Sequence, residues 1–214
     1  MRIFKHITFP LFRLTMGLCL LPLALSSCDD DVQNEYSSDI SCVFNFDITR
    51  HAATAIAAAV QPLNYGQFVF VTTELRTVGA SPTTTGYTVR YVNSERPTGE
   101  KEATAITAAD ELRVNYVLGA MNGLIIGRSS GVDNTLYAYD RQCPNCMNQY
   151  GLYRYAMSFA NDGHWVHCSN CRRDYDLNNN GYPVSGGGRK LVRYVAALLT
   201  NTNTNTQYLS VHNR

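Results

Sequence analysis

Cys143-Pro144-Asn145-Cys146, answered further on by Cys168-Ser169-Asn170-Cys171, is the stretch that decides how this chain is read. Both halves have the form Cys-x-Asn-Cys, two near-copies of one short turn. Thiols delivered in pairs by two tight turns suit a tetrahedral metal ion. Zinc takes four sulfurs at about 2.3 Å, and cysteines with two residues between them span one edge of that tetrahedron. Thiolates are equally the ligands of iron–sulfur clusters. The spacing within each pair, and the gap between the pairs, lie close to those of zinc sites. The pattern supports metal binding better than it supports any reaction.

Working outward, the flanks read as strands. Between the pairs, Tyr153, Tyr155, Met157 and Phe159 alternate with Arg154, Ala156 and Ser158. Asn161-Asp162-Gly163 then reads as a hairpin turn, because Asp-Gly supplies the positive φ such turns require. His164-Trp165-Val166-His167 leads directly into Cys168. Each cysteine pair is therefore expected where a strand ends, with the hairpin bringing both loops to one end of a small sheet. Upstream, Phe68-Val69-Phe70-Val71 is a continuous apolar run, as in a strand covered on both faces. Tyr87, Val89 and Tyr91 alternate with polar residues, as do Leu112, Val114 and Tyr116. Leu124-Ile125-Ile126 and Leu136-Tyr137-Ala138-Tyr139 are two more short strands bounded by turn residues. Downstream come Asp174-Tyr175-Asp176-Leu177, a glycine-rich loop through Gly188 and a strand over 191–199. An Asn/Thr hairpin tip over 200–206 follows, before residues 207–212 close the sheet. Two short helices are expected at most, over 52–60 and 107–112. The fold class is all-β.

The amino-terminal segment reads as an address. Arg2, Lys5 and Arg13 give a positive start, and an apolar run over 14–25 is too short to span a bilayer. It ends in Leu25-Ser26-Ser27-Cys28, which resembles a bacterial lipobox, and this implies that Cys28 is lipidated and becomes the mature N-terminus. Residues 1–27 are then a lipoprotein signal peptide, 28–41 a disordered polar tether, and 42–214 a single domain. Asp29-Asp30-Asp31 resembles the acidic surface-export tag of some Gram-negative lipoproteins. The implied location is the bacterial cell envelope, as an outer-membrane lipoprotein held by its acyl chains. Lys and Arg number 18 against 17 Asp and Glu, and loss of the signal tips this balance slightly negative. That gives no electrostatic case for nucleic acid or for an anionic membrane surface.

Of the seven cysteines, Cys19 leaves with the signal and Cys28 carries lipid. Cys42 lies on the apolar side of a strand, where a buried inert thiol is expected. Cys143, Cys146, Cys168 and Cys171 remain as metal or cofactor ligands, with disulfides as the alternative in an oxidising compartment.

The segment from Leu136 to 199, with a metal-binding lobe over 136–188, resembles a Rieske-type iron–sulfur domain. Tyr137-Ala138-Tyr139-Asp140-Arg141-Gln142-Cys143-Pro144 matches the strand and first cluster loop, and His167-Cys168-Ser169-Asn170-Cys171 the second loop. Residues 173–177, Gly181-Tyr182-Pro183-Val184 and Leu191-Val192-Arg193-Tyr194 match the strand, glycine turn and closing strand that follow. The implied fold is a Rieske-like β-sandwich whose small lobe is formed by the two Cys-x-x-Cys loops. The likeness extends to envelope lipoproteins carrying a divergent domain of this type. In that family each loop gives one cysteine and one histidine. Here Asn145 stands at the first histidine position and Cys171 at the second. A two-histidine centre cannot be assembled from these loops.

Three occupants remain: one zinc on four thiolates, which is favoured, a four-cysteine [2Fe–2S] cluster, and disulfides. Pro144 favours a zinc turn. Met147 and Arg172 stand where such turns often carry glycine, and Asn145 and Asn170 are expected to ease the backbone instead. His164 and His167 are candidates for a further ligand but read better as ordinary strand residues. Arg172 and Arg173 would offset thiolate charge. Gly186-Gly187-Gly188-Arg189 lacks the strand-to-helix setting of an anion cradle and reads better as a flexible cover, as the resemblance implies. The tyrosines read mostly as strand packing. Thiol–disulfide exchange is the weakest reading, since its motif belongs at a helix start. The expected function is a structural or binding module, with electron transfer through a four-cysteine cluster as the alternative and no enzymatic activity. Beyond the membrane, no partner is legible.

Overall fold

The computed structural model describes residues 36–77, 85–95, 102–106 and 116–214. The expected signal peptide, Cys28, most of the expected tether, the helix expected over 107–112 and the strand positions Leu112 and Val114 lie outside the described residues. The last tether residues, 36–41, lie against the fold. Ser37 donates its N–H to the Arg193 carbonyl at 2.7 Å and accepts from Arg214 N–H at 2.9 Å. Tyr36 lies under the Arg193 guanidinium at 4.8 Å.

The described elements in chain order are β1 (Cys42–Asp47), α1 (Ala55–Ala59), β2 (Phe68–Thr77), β3 (Thr85–Asn93), β4 (Glu102–Ile106) and β5 (Val117–Leu118). Then come β6 (Leu124–Arg128), β7 (Leu136–Asp140), α2 (Pro144–Tyr150), β8 (Ser158–Ala160), β9 (Trp165–Cys168), β10 (Arg173–Asp176), β11 (Arg193–Asn201) and β12 (Thr206–His212). The short helix expected over 52–60 is present as α1, started by Thr54, whose hydroxyl accepts from the Ala57 N–H.

Nine strands form one antiparallel sheet in the order β4-β3-β2-β6-β7-β11-β12-β1-β5. All nine send side chains into one apolar core, among them Phe44, Phe46, Val69, Val71, Ile106, Leu118 and Val211. A flat sheet cannot do that; twist coils this one until its ends meet. Tyr87 of β3 packs edge-on against Tyr116, just before β5, with ring centroids 4.7 Å apart. Thr104 of β4 hydrogen-bonds His51 at 3.2 Å, and His51 stacks on Phe46 of β1 at 4.8 Å. Each fully buried Phe, Leu or Ile contributes about 1.5–3 kcal/mol, so this core carries the fold.

β2 shows why the apolar run at its start is needed. Val69 and Val71 face the main core, whereas Phe68 and Phe70 face a second one. Ile125, Tyr137 and Tyr139 join them from β6 and β7, and Ala138 points the other way. On this outer face sits a three-stranded antiparallel sheet in the order β10-β9-β8. Asn161, Asp162 and Gly163 join β8 to β9 with φ of 49°, 53° and 84°, as a turn there demands.

One expectation is corrected: the strand expected over 153–159 shrinks to β8, with an isolated bridge from Ala156 to Gln142 before it. The Asn/Thr tip does join β11 to β12, and β12 pairs with β1 as well, within the large sheet. Among the described residues no helix is long and apolar enough to cross a membrane.

Candidate metal centre

The first cysteine loop is aimed by a buried carboxylate at the end of β7. Asp140 accepts hydrogen bonds from Ala120 N–H, Gln142 N–H and the Tyr194 hydroxyl, each at 2.7 Å. Burial pushes its pKa up, against the pull of those donors. Gly119 must stay glycine beside it, since φ is +69° and a Cβ would collide with the carboxylate. Gln142 continues the chain of contacts. Its side chain donates to the Cys143 carbonyl at 3.1 Å and accepts from Tyr155 N–H at 3.0 Å.

Cys143 is then the N-cap of α2, with Pro144 inside its first turn and Gly151 closing it at φ 63°. Proline suits that turn because its missing N–H would have had no helical partner. The first Cys-x-x-Cys therefore opens a short helix rather than ending a strand in a loop, a correction to the expected pair of matching turns. The second pair does follow a strand. Cys168 ends β9 and pairs with Arg173, the first residue of β10. The reversal between them puts Arg172 at φ +57°, with its N–H on the Cys168 carbonyl at 2.8 Å. The left-handed residue is thus Arg172, and neither Asn145 nor Asn170 has a positive φ.

The two loops converge. The four sulfurs of Cys143, Cys146, Cys168 and Cys171 all lie within 4.8 Å of one another. The Cys143 and Cys171 sulfurs are 3.6 Å apart, as are those of Cys146 and Cys168. All are free thiols, and at that separation no bond of about 2.05 Å joins them. Three are buried, and Cys171 is partly exposed.

Donors surround the sulfurs. The Tyr175 hydroxyl lies 3.6 Å from the Cys143 sulfur, and Asn170 donates its amide N–H to Cys146 at 3.3 Å. Burial raises the pKa of Cys143 and of Cys146, opposed by the Cys146 N–H in one case and by Asn170 in the other. Burial also acts upward on Cys171. There the thiols of Cys143, Cys168 and Cys146 and the Arg173 N–H outweigh it and leave the group lowered. A four-thiolate cation site is what this arrangement can offer: soft, converging sulfurs in a mostly buried pocket.

The other sequence candidates fall outside it. His167 meets Asp174 at 2.8 Å across the β9–β10 ladder, while Val166 and Cys168 on the opposite face enter the lobe core. His164 contacts Asn178 at 3.3 Å. Arg173 reaches away to the Gly187 carbonyl, and its guanidinium fills the space a Cβ at Gly188 would take. The glycine-rich loop is also tied to β10 through Val184 N–H on the Asp174 carbonyl at 2.9 Å. Beside the lobe lies a cleft of about 960 Å³, lined in part by Tyr36, Pro144, Met147, Tyr153, Tyr182 and Arg189. Tyr175, Gln142 and Asp140 were not singled out from sequence. Tyr175 carried a signal, as the one apolar-facing position between Asp174 and Asp176.

Compared with known protein families, with curated proteins and with solved structures, the chain matches none.

Proposed function

We propose that this chain is a lipid-anchored protein of the cell envelope. In it, Cys143, Cys146, Cys168 and Cys171 hold one zinc ion, which ties the two loops of a Rieske-like lobe together. One observation carries the metal assignment: the mutual closeness of the four sulfurs, all within 4.8 Å of one another and two cross-loop pairs at 3.6 Å. A tetrahedron with 2.3 Å zinc–sulfur bonds has edges of about 3.8 Å. A two-iron cluster places its thiolates on two separate irons and spreads the pairs further apart. When bound, the ion supplies structural cross-linking. The chain's own residues set the loop entry through Asp140 and Gln142 and donate hydrogen bonds to the sulfurs through Tyr175 and Asn170.

The Rieske likeness is supported by a three-stranded lobe on a larger antiparallel sheet and by the glycine-rich segment after β10. The short helix α2 and the absent histidines stand against a redox centre of the ordinary family type. The anchor and the envelope address rest on the signal-like residues 1–27 and the lipobox-like Leu25-Ser26-Ser27-Cys28. The cleft beside the lobe is open to a ligand, and no catalytic residue is assigned.

Elemental analysis of the purified chain, with its visible spectrum, tests the centre. Colourless protein with one zinc per chain is expected; brown protein with two irons would replace the tie with an electron carrier. Labelled palmitate incorporated by the wild type and lost in Cys28→Ala tests the anchor.

A further inference from the structure

We propose that the same four cysteines form a reversible oxidation site, closing as two bridges between the loops, Cys143–Cys171 and Cys146–Cys168, on exchange with a small-molecule disulfide such as oxidised glutathione. The proposal rests on the quartet sharing one centre and concerns what the thiolates do when the ion leaves.

In both bridges the sulfurs come from opposite loops and lie 3.6 Å apart. A disulfide bond measures about 2.05 Å, so each cross-loop pair closes over a short distance. The loops that carry them are anchored: Cys143 is the N-cap of α2 with Cys146 in its first turn, and Cys168 is fixed in the β9–β10 ladder opposite Arg173. Entry is through Cys171, the partly exposed member; Cys143, Cys146 and Cys168 are at most 1 % exposed.

The exchange balances with the oxidant named. The Cys171 thiolate attacks one sulfur of oxidised glutathione, forming a mixed disulfide and releasing a glutathione thiolate. The Cys143 thiolate then attacks the Cys171 sulfur, forming the bridge and releasing the second glutathione thiolate. Closure of the first bridge and departure of the cation open the pocket, and a second oxidised glutathione then converts Cys146 and Cys168 in the same way. Four protein thiolates become two disulfides, the two oxidant molecules are reduced to four glutathione thiolates that take protons from water, and the cation departs.

The pairing has a mechanical consequence. Bridges within each Cys-x-x-Cys would unfasten the loops from one another once the metal had gone. Bridges between them keep the lobe tied, so cation and disulfides are interchangeable fasteners for one junction, which suits a chain exported to an oxidising compartment.

The test uses the full chain loaded with zinc and titrated with oxidised glutathione beside a chromophoric zinc chelator. Blocking of free thiols, tryptic digestion and fragment-ion mapping follow. Cross-loop bridges join the peptide ending at Arg154 to the one ending at Arg172, with the mass falling by two hydrogens per bridge and zinc appearing in step. Cys171→Ser removes the entry thiol and is expected to lose both bridges, whereas Cys146→Ser is expected to keep Cys143–Cys171. Zinc-loaded protein that yields Cys143–Cys146 and Cys168–Cys171 bridges, or none, overturns the oxidation proposal and leaves the metal reading standing. A chain that takes up no metal yet maps to cross-loop bridges does the reverse.

Discussion

The Tyr175 hydroxyl lies 3.6 Å from the Cys143 sulfur, at the end of a ring with no exposed surface. Burial raises its pKa, with the neighbouring Cys143 acting in the same direction. Where Cys143 serves as a thiolate ligand it can only accept, so the phenol is then the donor. Such outer contacts govern ligand basicity and orientation, and losing one typically costs 10–100-fold in affinity. Tyr175→Phe keeps the ring and removes the donor. We expect a folded protein that binds zinc about tenfold more weakly, read by competition with a chelator of known affinity. Unchanged affinity would reduce Tyr175 to a packing residue.

Arg172 occupies a backbone conformation that suits glycine. A residue with a Cβ held there costs about 1–2 kcal/mol, and the tie between its N–H and the Cys168 carbonyl at 2.8 Å keeps it in place. Arg172→Gly should raise the stability of the metal-loaded protein by roughly 1 kcal/mol, and Arg172→Val should lower it, because branching at Cβ worsens the clash. Denaturant midpoints moving in the same direction for both variants would contradict this account of the turn.

Much of this architecture was legible because the signals were local. The doubly apolar start of β2 requires two cores, and two cores exist. Asn161-Asp162-Gly163 marked its turn, and the cysteine spacing marked the centre. What escaped depended on distant partners. Nothing near β12 says that it pairs with β1, which sets Val43 opposite His212 and Asp47 opposite Tyr208 from the far end of the chain. Helix α2 is only 7 residues long, below the length at which helices hold alone, and the tyrosine alternation after it drew the eye to a strand. Pro144 and Gly151, one at each end, were its available marks. Asn170 was the reasonable choice for a left-handed turn. The Cys168–Arg173 pairing moved that burden to Arg172, a constraint set by the ladder rather than by propensity.

Phe70 is the seam between the large sheet and the lobe. Its ring stacks on Phe159 of β8 with centroids 3.7 Å apart, and the Arg141 guanidinium lies 4.3 Å from its centre. Phe70→Ala should cost about 3–5 kcal/mol and weaken zinc binding as well, because β8 loses its support. Phe44→Ala, in the main core, should cost a similar amount in denaturant while leaving zinc affinity in the folded protein unchanged. Equal effects of the two substitutions on zinc affinity would mean that the lobe and the large sheet do not behave as separately supported units.

Two separate cores also decide what metal removal does. The cysteines belong to the lobe cluster with Met157, Val166, Tyr175 and Leu177, whereas the coiled sheet encloses a cluster that includes none of the four. On the proposed reading, withdrawing the ion would leave buried thiols and remove the cross-link between α2 and the β9–β10 turn. The sheet core keeps every contact it had. Local opening free energies follow such contact differences. Chelator-treated, reduced protein should therefore lose amide-exchange protection in β8, β9, β10 and α2, while β1, β2, β6, β11 and β12 keep theirs. Restoring zinc should restore the lobe, as expected where binding free energy is folding free energy. Loss of protection throughout the chain would make the centre a determinant of the whole fold. No loss anywhere would show that the lobe stands without it.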